Sequence, residues 1–180
     1  ELGRGVEILE GIGDVLVGGA AVALGNADVA RGHIEAREAF LLDADPPPGI
    51  TEAIAGGAHA SMWLEAFDRT QRILDRLIEL ARNDGALARL CYPLTIRSQL
   101  GFRRGHWTAA YADAEEALRA SRETGQQSSV AYATQMLAEI EAGMGRFASA
   151  RAHARESLEL ARGTETPVFG PYARAALGAC

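Results

Sequence analysis

The chain has 180 residues, which is enough for one domain with a hydrophobic core. Its composition, 48% hydrophobic and 23% charged, is that of an ordinary globular protein. The formal net charge is −6, so the chain lacks the basic surface that nucleic-acid binding requires, and we expect no direct contact with nucleic acid. The isolated cysteines Cys91 and Cys180 match neither a disulfide framework nor a zinc site, which favours a reducing, cytoplasmic location.

The longest uncharged segment, residues 15–27, is rich in glycine and too short to span a bilayer, so no association with a membrane is expected. No signal peptide is recognisable. Because the chain starts at Glu1 rather than at a methionine, we also expect it to be a fragment of a longer protein.

A period of forty residues runs along the chain, and such repetition is typical of helical arrays. One column of the repeat contains only small residues, which are Gly18, Ala58, Ser98, Ala138 and Gly178. A second column is aromatic, with Phe67, Trp107 and Phe147, and a third is tyrosine, with Tyr92, Tyr132 and Tyr172. Agreement in several columns at once indicates a true repeat.

The first predicted hairpin, in residues 1–48, follows the repeat only weakly. Ile34 keeps the phase, but Arg37 stands where Leu77 is found one repeat later. Three prolines at 46–48 are expected to end this hairpin, because proline cannot continue a helix.

The regular repeats occupy residues 49–180. Apolar residues spaced by three and four from Phe67 to Ala81 predict a helix with one buried face, and the same spacing recurs from Trp107 to Ser121. A partner helix precedes the second of these at about 86–103, and another follows it at about 128–143. These segments predict a series of helical hairpins.

Small residues where paired helices cross allow close approach of the backbones, and each aromatic residue is expected to wedge into the opening turn of the second helix. Glycines such as Gly85 and Gly125 mark the helix ends. The last hairpin begins near Tyr172 and reaches Cys180 without a second helix. We therefore predict an all-α fold, a right-handed superhelix of antiparallel helix hairpins that is truncated within a hairpin.

The order of a small residue, glycine, an aromatic residue and alanines in residues 105–118 resembles the tetratricopeptide repeat, lengthened from about 34 residues to forty. More specifically, residues 90–119 and the motif Glu-Thr-Gly-Gln at 123–126 are similar to the helical-repeat region of large LuxR-family transcriptional regulators, the MalT-like signal-transduction ATPases. The likeness covers about residues 61–180. It implies a regulatory segment between a P-loop ATPase and a helix-turn-helix domain. Neither a P-loop motif nor a basic recognition helix occurs here, so ATP and DNA binding are not transferred to these residues, and no cofactor is expected.

No catalytic or metal-binding constellation is recognisable in the sequence. The histidines fit no metal-ligand spacing, and a surface or packing role is expected for each; they are His33, His59, His106 and His153. The glycines in residues 11–19 do not match a dinucleotide-binding loop and indicate a helix that packs closely on its neighbour. We therefore expect no enzymatic activity.

In tetratricopeptide arrays the first helix of each pair lines a concave surface, and the resemblance places eight candidate ligand-binding residues there. They are Tyr92, Thr95, Gln99, Phe102, Arg103, Tyr132, Gln135 and Glu139. Two tyrosines one repeat apart could hold a peptide or a small effector between amphipathic rings. The alternative is that both tyrosines pack at the starts of their helices for structural reasons alone.

Three functions are compatible with this pattern. The first is a non-enzymatic sensor or scaffold segment of a LuxR-type regulator, which binds a protein or small-molecule effector on its concave face. The second is a free-standing adaptor that binds an extended peptide in the same groove. The third, a helical part of an enzyme, is least favoured because no nucleophile, base or metal set can be named. Whether the chain forms a homo-oligomer stays open.

Overall fold

The computed structural model describes residues 2–37, 50–163 and 169–178, and all the secondary structure in these ranges is helical. The helices are α1 (Leu2–Ala23), α2 (Ala27–Ala36), α3 (Thr51–Trp63), α4 (Phe67–Asn83), α5 (Leu87–Arg103), α6 (Trp107–Glu123), α7 (Gln127–Gly143), α8 (Phe147–Gly163) and α9 (Phe169–Gly178). The prediction of an all-α fold is confirmed. The predicted proline stop at 46–48, the boundary between residues 48 and 49, and Cys180 lie outside the described residues.

Two compact units make up the chain, residues 1–83 and residues 84–180. The first contains α1 to α4, and the second contains α5 to α9. In the second unit, consecutive helices pack on one another, and the first helices of successive hairpins, α5 and α7, also contact each other. In the first unit, α3 packs on both α1 and α2.

The turns between helices share one backbone feature, a residue with positive φ, which among the described residues occurs at 25 and then every twenty residues from 65 to 145. The residues that adopt it are Gly25, Glu65, Gly85, Gly105, Gly125 and Gly145. At Gly105 the backbone N–H groups of Gly105 and His106 donate to the carbonyls of Phe102 (3.1 Å) and Gly101 (2.8 Å), the two bonds of a Schellman cap. The same pair of bonds closes the helices before Gly25, Glu65, Gly125 and Gly145. Each forty-residue repeat is therefore two halves. Each helix from α4 to α8 has 17 residues, and a three-residue turn follows each helix from α4 to α7.

The column of small residues lies mainly inside the hairpins, as predicted. Gly18, Ala58, Ser98 and Ala138 are buried, and a methyl group on Gly18 would come within 2.9 Å of the Ile34 side chain. The last member, Gly178, is exposed. Close approach of paired helices is thus seen directly at Gly18, and at Ala58, whose carbonyl accepts a hydrogen bond from the hydroxyl of Thr70 on the next helix (3.3 Å).

The aromatic column differs from its prediction. Trp107 and Phe147 keep 39% and 44% of their surface exposed. The indole N–H of Trp107 donates to the carbonyl of Phe102 (3.2 Å), and the two rings lie 6.0 Å apart. Trp107 therefore covers the end of α5 from outside and is not an enclosed wedge, because the tight turn places the first residue of α6 at the surface.

None of the described helices combines the length and the hydropathy needed to cross a bilayer.

Candidate functional site

Helices α5 and α7 carry all eight residues predicted to bind a ligand. Six of them form three pairs one repeat apart, and Phe102 and Arg103 add to these from the end of α5. The helices are in contact through residues at the start of each, where the rings of Tyr92 and Tyr132 lie 6.2 Å apart at an angle of 49°. The hydroxyl of Tyr132 donates to Oε1 of Gln99 at 2.7 Å, and both Tyr132 and Gln99 are buried. These contacts join successive repeats, so the structural interpretation of Tyr132 has direct support.

Thr95 is enclosed in the same region. Its hydroxyl donates to the carbonyl of Cys91 (2.7 Å) within α5, and no part of the residue is exposed. A ligand would reach Thr95 only after the two helices separated.

A second polar group lies one turn further along α7. The amide Nε2 of Gln135 donates to Oε1 of Glu139 at 2.7 Å. Burial raises the pKa of the Glu139 carboxyl above its ordinary value, although the bond from Gln135 and the positive charge of Arg103 both act in the opposite direction. The other amide atom of Gln135, Oε1, is buried and has no hydrogen-bond partner among the described residues.

Four of the eight residues reach the surface, and we call them the α5–α7 face. Arg103 is exposed, and Tyr92, Phe102 and Glu139 are half-buried. A methyl group on Gly143 would come 3.1 Å from Phe102, so the aromatic ring lies against the end of α7. The face therefore presents a guanidinium, a carboxyl group and two aromatic rings, contributed by two successive repeats.

The sequence did not reveal a buried acid that joins three helices. Glu141, on α7, is only 2% exposed, and it accepts hydrogen bonds from Nδ1 of His153 on α8 (2.7 Å) and from the hydroxyl of Tyr111 on α6 (3.4 Å). Burial raises the pKa of Tyr111, and the nearby charges of Glu115 and Glu141 raise it further. The sequence does contain one indication of this acid. The positions 40 and 80 residues before Glu141 hold glycine and serine, so Glu141 occupies a place that holds a small residue in the two preceding repeats.

Glu141 also accounts for His153, which is half-buried and has the packing role expected of it. The guanidinium of Arg146 lies 5.1 Å from the centre of the Tyr111 ring and adds a cation–π contact to the same cluster. The arrangement holds α6, α7 and α8 together.

Two further charged groups link paired helices. Arg97 donates two hydrogen bonds to Asp113, from Nε to Oδ2 at 2.8 Å and from Nη2 to Oδ1 at 2.7 Å. In the first unit, Asp14 accepts hydrogen bonds from Arg37 and His33, and these bonds lower the pKa of its carboxyl, with the larger part from Arg37. Neither group includes a nucleophile, and no cluster suited to a metal ion occurs in the part of the chain that the structure describes.

No family model matches the chain, and comparisons with curated proteins and with solved structures also find no match.

Proposed function

We propose that the chain is a non-enzymatic regulatory segment that binds a protein or small-molecule effector on the α5–α7 face. The observation that carries this proposal is the exposed residue Arg103 beside the half-buried carboxyl of Glu139, at the ends of the first helices of two successive repeats. Burial raises the pKa of the Glu139 carboxyl, and ionisable groups with shifted pKa values are concentrated at functional sites.

The chemistry of the face defines the effector that fits it. Arg103 favours an anionic group such as a carboxylate or phosphate, which it can bind with two parallel hydrogen bonds. Phe102, next to Arg103 in the chain, favours a flat or apolar group on the same molecule, whereas Tyr92 lies about 15 Å further along α5 and would contact a longer ligand such as a peptide. The proposed effector is therefore an anionic molecule or peptide with an aromatic or apolar part.

The regulatory part of the proposal rests on where the face lies. It is built from the first helices of two successive repeats, so an effector that contacts both would favour one spacing of α5 and α7 over others. A ligand shifts a conformational equilibrium by its difference in affinity for the two states. In a tetratricopeptide-like right-handed array, such a local change would alter the curvature of the repeats.

The proposed setting is the middle segment of a LuxR-type transcriptional regulator. The support is the likeness of residues 90–126 together with the forty-residue period. Sequencing the complete gene tests this part separately. An open reading frame that encodes neither an ATPase domain upstream nor a helix-turn-helix domain downstream would contradict the proposed LuxR-type setting. It would not affect the proposal that the α5–α7 face binds an effector.

Effector binding is tested by comparing two double variants of the whole chain. Arg103→Ala with Glu139→Gln changes the α5–α7 face, whereas Arg119→Ala with Glu115→Gln makes the same changes at exposed positions on α6. Each immobilised chain is incubated with native lysate and with its small-molecule fraction, and bound species are quantified by mass spectrometry.

We expect a species that the wild-type chain and the α6 control retain equally, and whose recovery falls at least tenfold on the Arg103 and Glu139 variant. Two outcomes contradict the proposal. One is equal recovery of every bound species by both variants, and the other is no bound species at all. Circular dichroism of each variant excludes loss of fold as the cause.

A further inference from the structure

An apolar surface of α1 faces solvent. We call it the α1 stripe, and it consists of Gly13, Leu16, Val17 and Ala20, all of them exposed. Leu16 keeps 65% of its surface exposed and Val17 keeps 47%. These residues are spaced by three and four, so they share one side of the helix. Contiguous exposed apolar surface on a helix commonly marks an interface.

The repeat identifies the counterparts of these residues on α7, which follows α1 by three repeats. Adding 120 to each number gives Ala133, Met136, Leu137 and Ile140, and all four are at most 2% exposed. The residues on the opposite side of the two helices agree: Val15 and Gln135 are both buried, and so are Gly18 and Ala138. The two helices therefore differ in one face only.

The face that distinguishes α7 is the one directed toward the preceding hairpin, α5 and α6. Both of these helices pack on α7. Contacts run along its whole length, from the ring of Tyr92 against Tyr132 to the hydroxyl of Tyr111 on Glu141. Helices α8 and α9 pack against α7 around Ala138, and α2 and α3 contact α1 in the corresponding way. Among the described residues, the preceding hairpin is therefore the contact of α7 that has no counterpart on α1.

The first unit repeats this relation. The hairpin formed by α1 and α2 packs on α3, where two of the four corresponding residues, Gly57 and Ala60, are buried and the other two, Ala53 and Gly56, are half-buried. A preceding hairpin thus covers this face in α7 and part of it in α3. On α1 the same face is exposed and apolar.

We propose that the α1 stripe is the docking surface for one further helical hairpin of the same forty-residue repeat, joined directly to the N-terminal side of α1. Its second helix presents an alanine and leucine face like that of α6, where Ala110, Ala114, Ala117 and Leu118 are buried. Glu10 lies at the edge of the stripe. Its carboxylate is 3.4 Å from Nη2 of Arg37, and this ion pair allows a hairpin to pack on the stripe without leaving the charge of Glu10 unpaired.

The test adds such a hairpin to the chain. Residues 84–126, which include α5, α6 and the turn at Gly125, replace residues 1–6, so that α1 follows a hairpin at the distance found before α7. Hydrogen exchange of amides in residues 9–24 is measured in the extended and the original chain. We expect exchange in α1 to slow at least tenfold in the extended chain.

Leu16→Glu in the extended chain is expected to abolish the slower exchange, whereas in the original chain it changes α1 exchange less than twofold. Val29→Glu is the matched control, because Val29 is exposed on α2 and its counterpart Ala109 is exposed on α6. It should leave the slower exchange intact.

Three results would overturn the proposal. The first is unchanged exchange in α1 of the extended chain. The second is an equal loss of protection with Leu16→Glu and Val29→Glu. The third is a dimer of the original chain in light scattering that Leu16→Glu converts to monomer, since the occupant would then be a second copy of this chain.

Discussion

Glu65 shows at the scale of one residue how the repeat tolerates a departure from its pattern. Among the described residues with positive φ, it is the single one that is not glycine, with φ of 61°, and it occupies the turn position held by glycine at 25, 85, 105, 125 and 145. A side chain in this left-handed conformation costs about 1–2 kcal/mol. The Schellman bonds around Glu65 are nevertheless complete, since Ala66 N–H donates to Ser61 at 3.0 Å. The fold therefore tolerates strain at this turn.

Replacing Glu65 by glycine is expected to stabilise the chain by about 1 kcal/mol, because the strain is removed and only part of the gain is lost to the greater freedom of unfolded glycine. Urea unfolding followed by circular dichroism measures the change. Gly105→Ala is the opposite substitution at an equivalent turn and should destabilise by about 1 kcal/mol. A Glu65→Gly variant no more stable than wild type would show that this turn is not strained.

The raised pKa of Glu139 predicts how stability depends on pH. The folded chain holds the proton on this carboxyl more tightly than the unfolded chain does, because the site is buried. The tighter proton binding stabilises the folded chain. This contribution is fully present below pH 4.5, the ordinary pKa of the carboxyl, and it is lost as the pH rises through the higher pKa of the folded chain.

Glu139→Gln should therefore unfold at higher urea concentration than wild type at pH 7, and the difference should shrink as pH falls toward 4.5. Urea midpoints at several pH values between 4 and 8 measure this. Glu115→Gln, on an exposed part of α6, should show no such trend. If the effect of Glu139→Gln on the urea midpoint did not change with pH, the pKa of this carboxyl would not be raised by folding.

At the scale of the helix, α1 shows that neighbouring glycines have different roles. Gly18 faces Ile34 of α2, and a methyl group there would lie 2.9 Å from that side chain. Gly19 and Gly13 have no atom within 4 Å of such a methyl group. Close packing of the hairpin thus explains Gly18, whereas at the other two positions glycine only weakens the helix.

Gly19→Ala is expected to stabilise the chain by about 1 kcal/mol through helix propensity alone. Gly18→Ala gains the same helix propensity, but the added methyl group must displace the Ile34 side chain. Overpacking of this kind costs about 1–3 kcal/mol. The alanine variant at 18 should therefore be the less stable of the two in denaturant unfolding. Equal gains at both positions would mean that α1 and α2 are not closely packed at this point.

At the scale of the whole molecule, each of the two compact units has its own contacts between successive helical hairpins. Helical-repeat proteins are stabilised by contacts between neighbouring repeats, without one central core. In the second unit the bond from Tyr132 to Gln99 joins residues 33 positions apart and is enclosed on all sides. A buried hydrogen bond of this type is costly to break on one side only, because the remaining partner cannot reach water.

Tyr132→Phe should destabilise the chain by about 1–3 kcal/mol, since it leaves Oε1 of Gln99 buried without its donor. Tyr111→Phe removes a longer bond, 3.4 Å, from a half-buried residue and should cost less. Equilibrium urea unfolding of both variants provides the comparison. If Tyr111→Phe lost more stability than Tyr132→Phe, the hydrogen bond from Tyr111 to Glu141 would stabilise the repeats more than the bond from Tyr132 to Gln99 does.

Much of the fold could be predicted from the sequence, and the bounds of the later helices show why. The predicted helices at 86–103 and 128–143 lie within one residue of Leu87–Arg103 and Gln127–Gly143. Apolar spacing and turn glycines are local features, so a single segment contains the information. The candidate site was less predictable: Tyr92, Phe102, Arg103 and Glu139 form a surface, whereas Thr95, Gln99, Tyr132 and Gln135 are enclosed.

The sequence by itself determined that the chain is helical, that its period is forty residues, and where most helices end, because hydrophobic spacing and glycine turns act within a few residues. Only the tertiary structure decided which polar side chains are enclosed and which face of α1 is exposed. Those properties depend on packing between helices far apart in the chain. Leu16 and Met136 occupy the same place in the repeat, yet Leu16 is 65% exposed and Met136 is fully buried. Of these two helices, α7 has a preceding hairpin packed on it in the described structure.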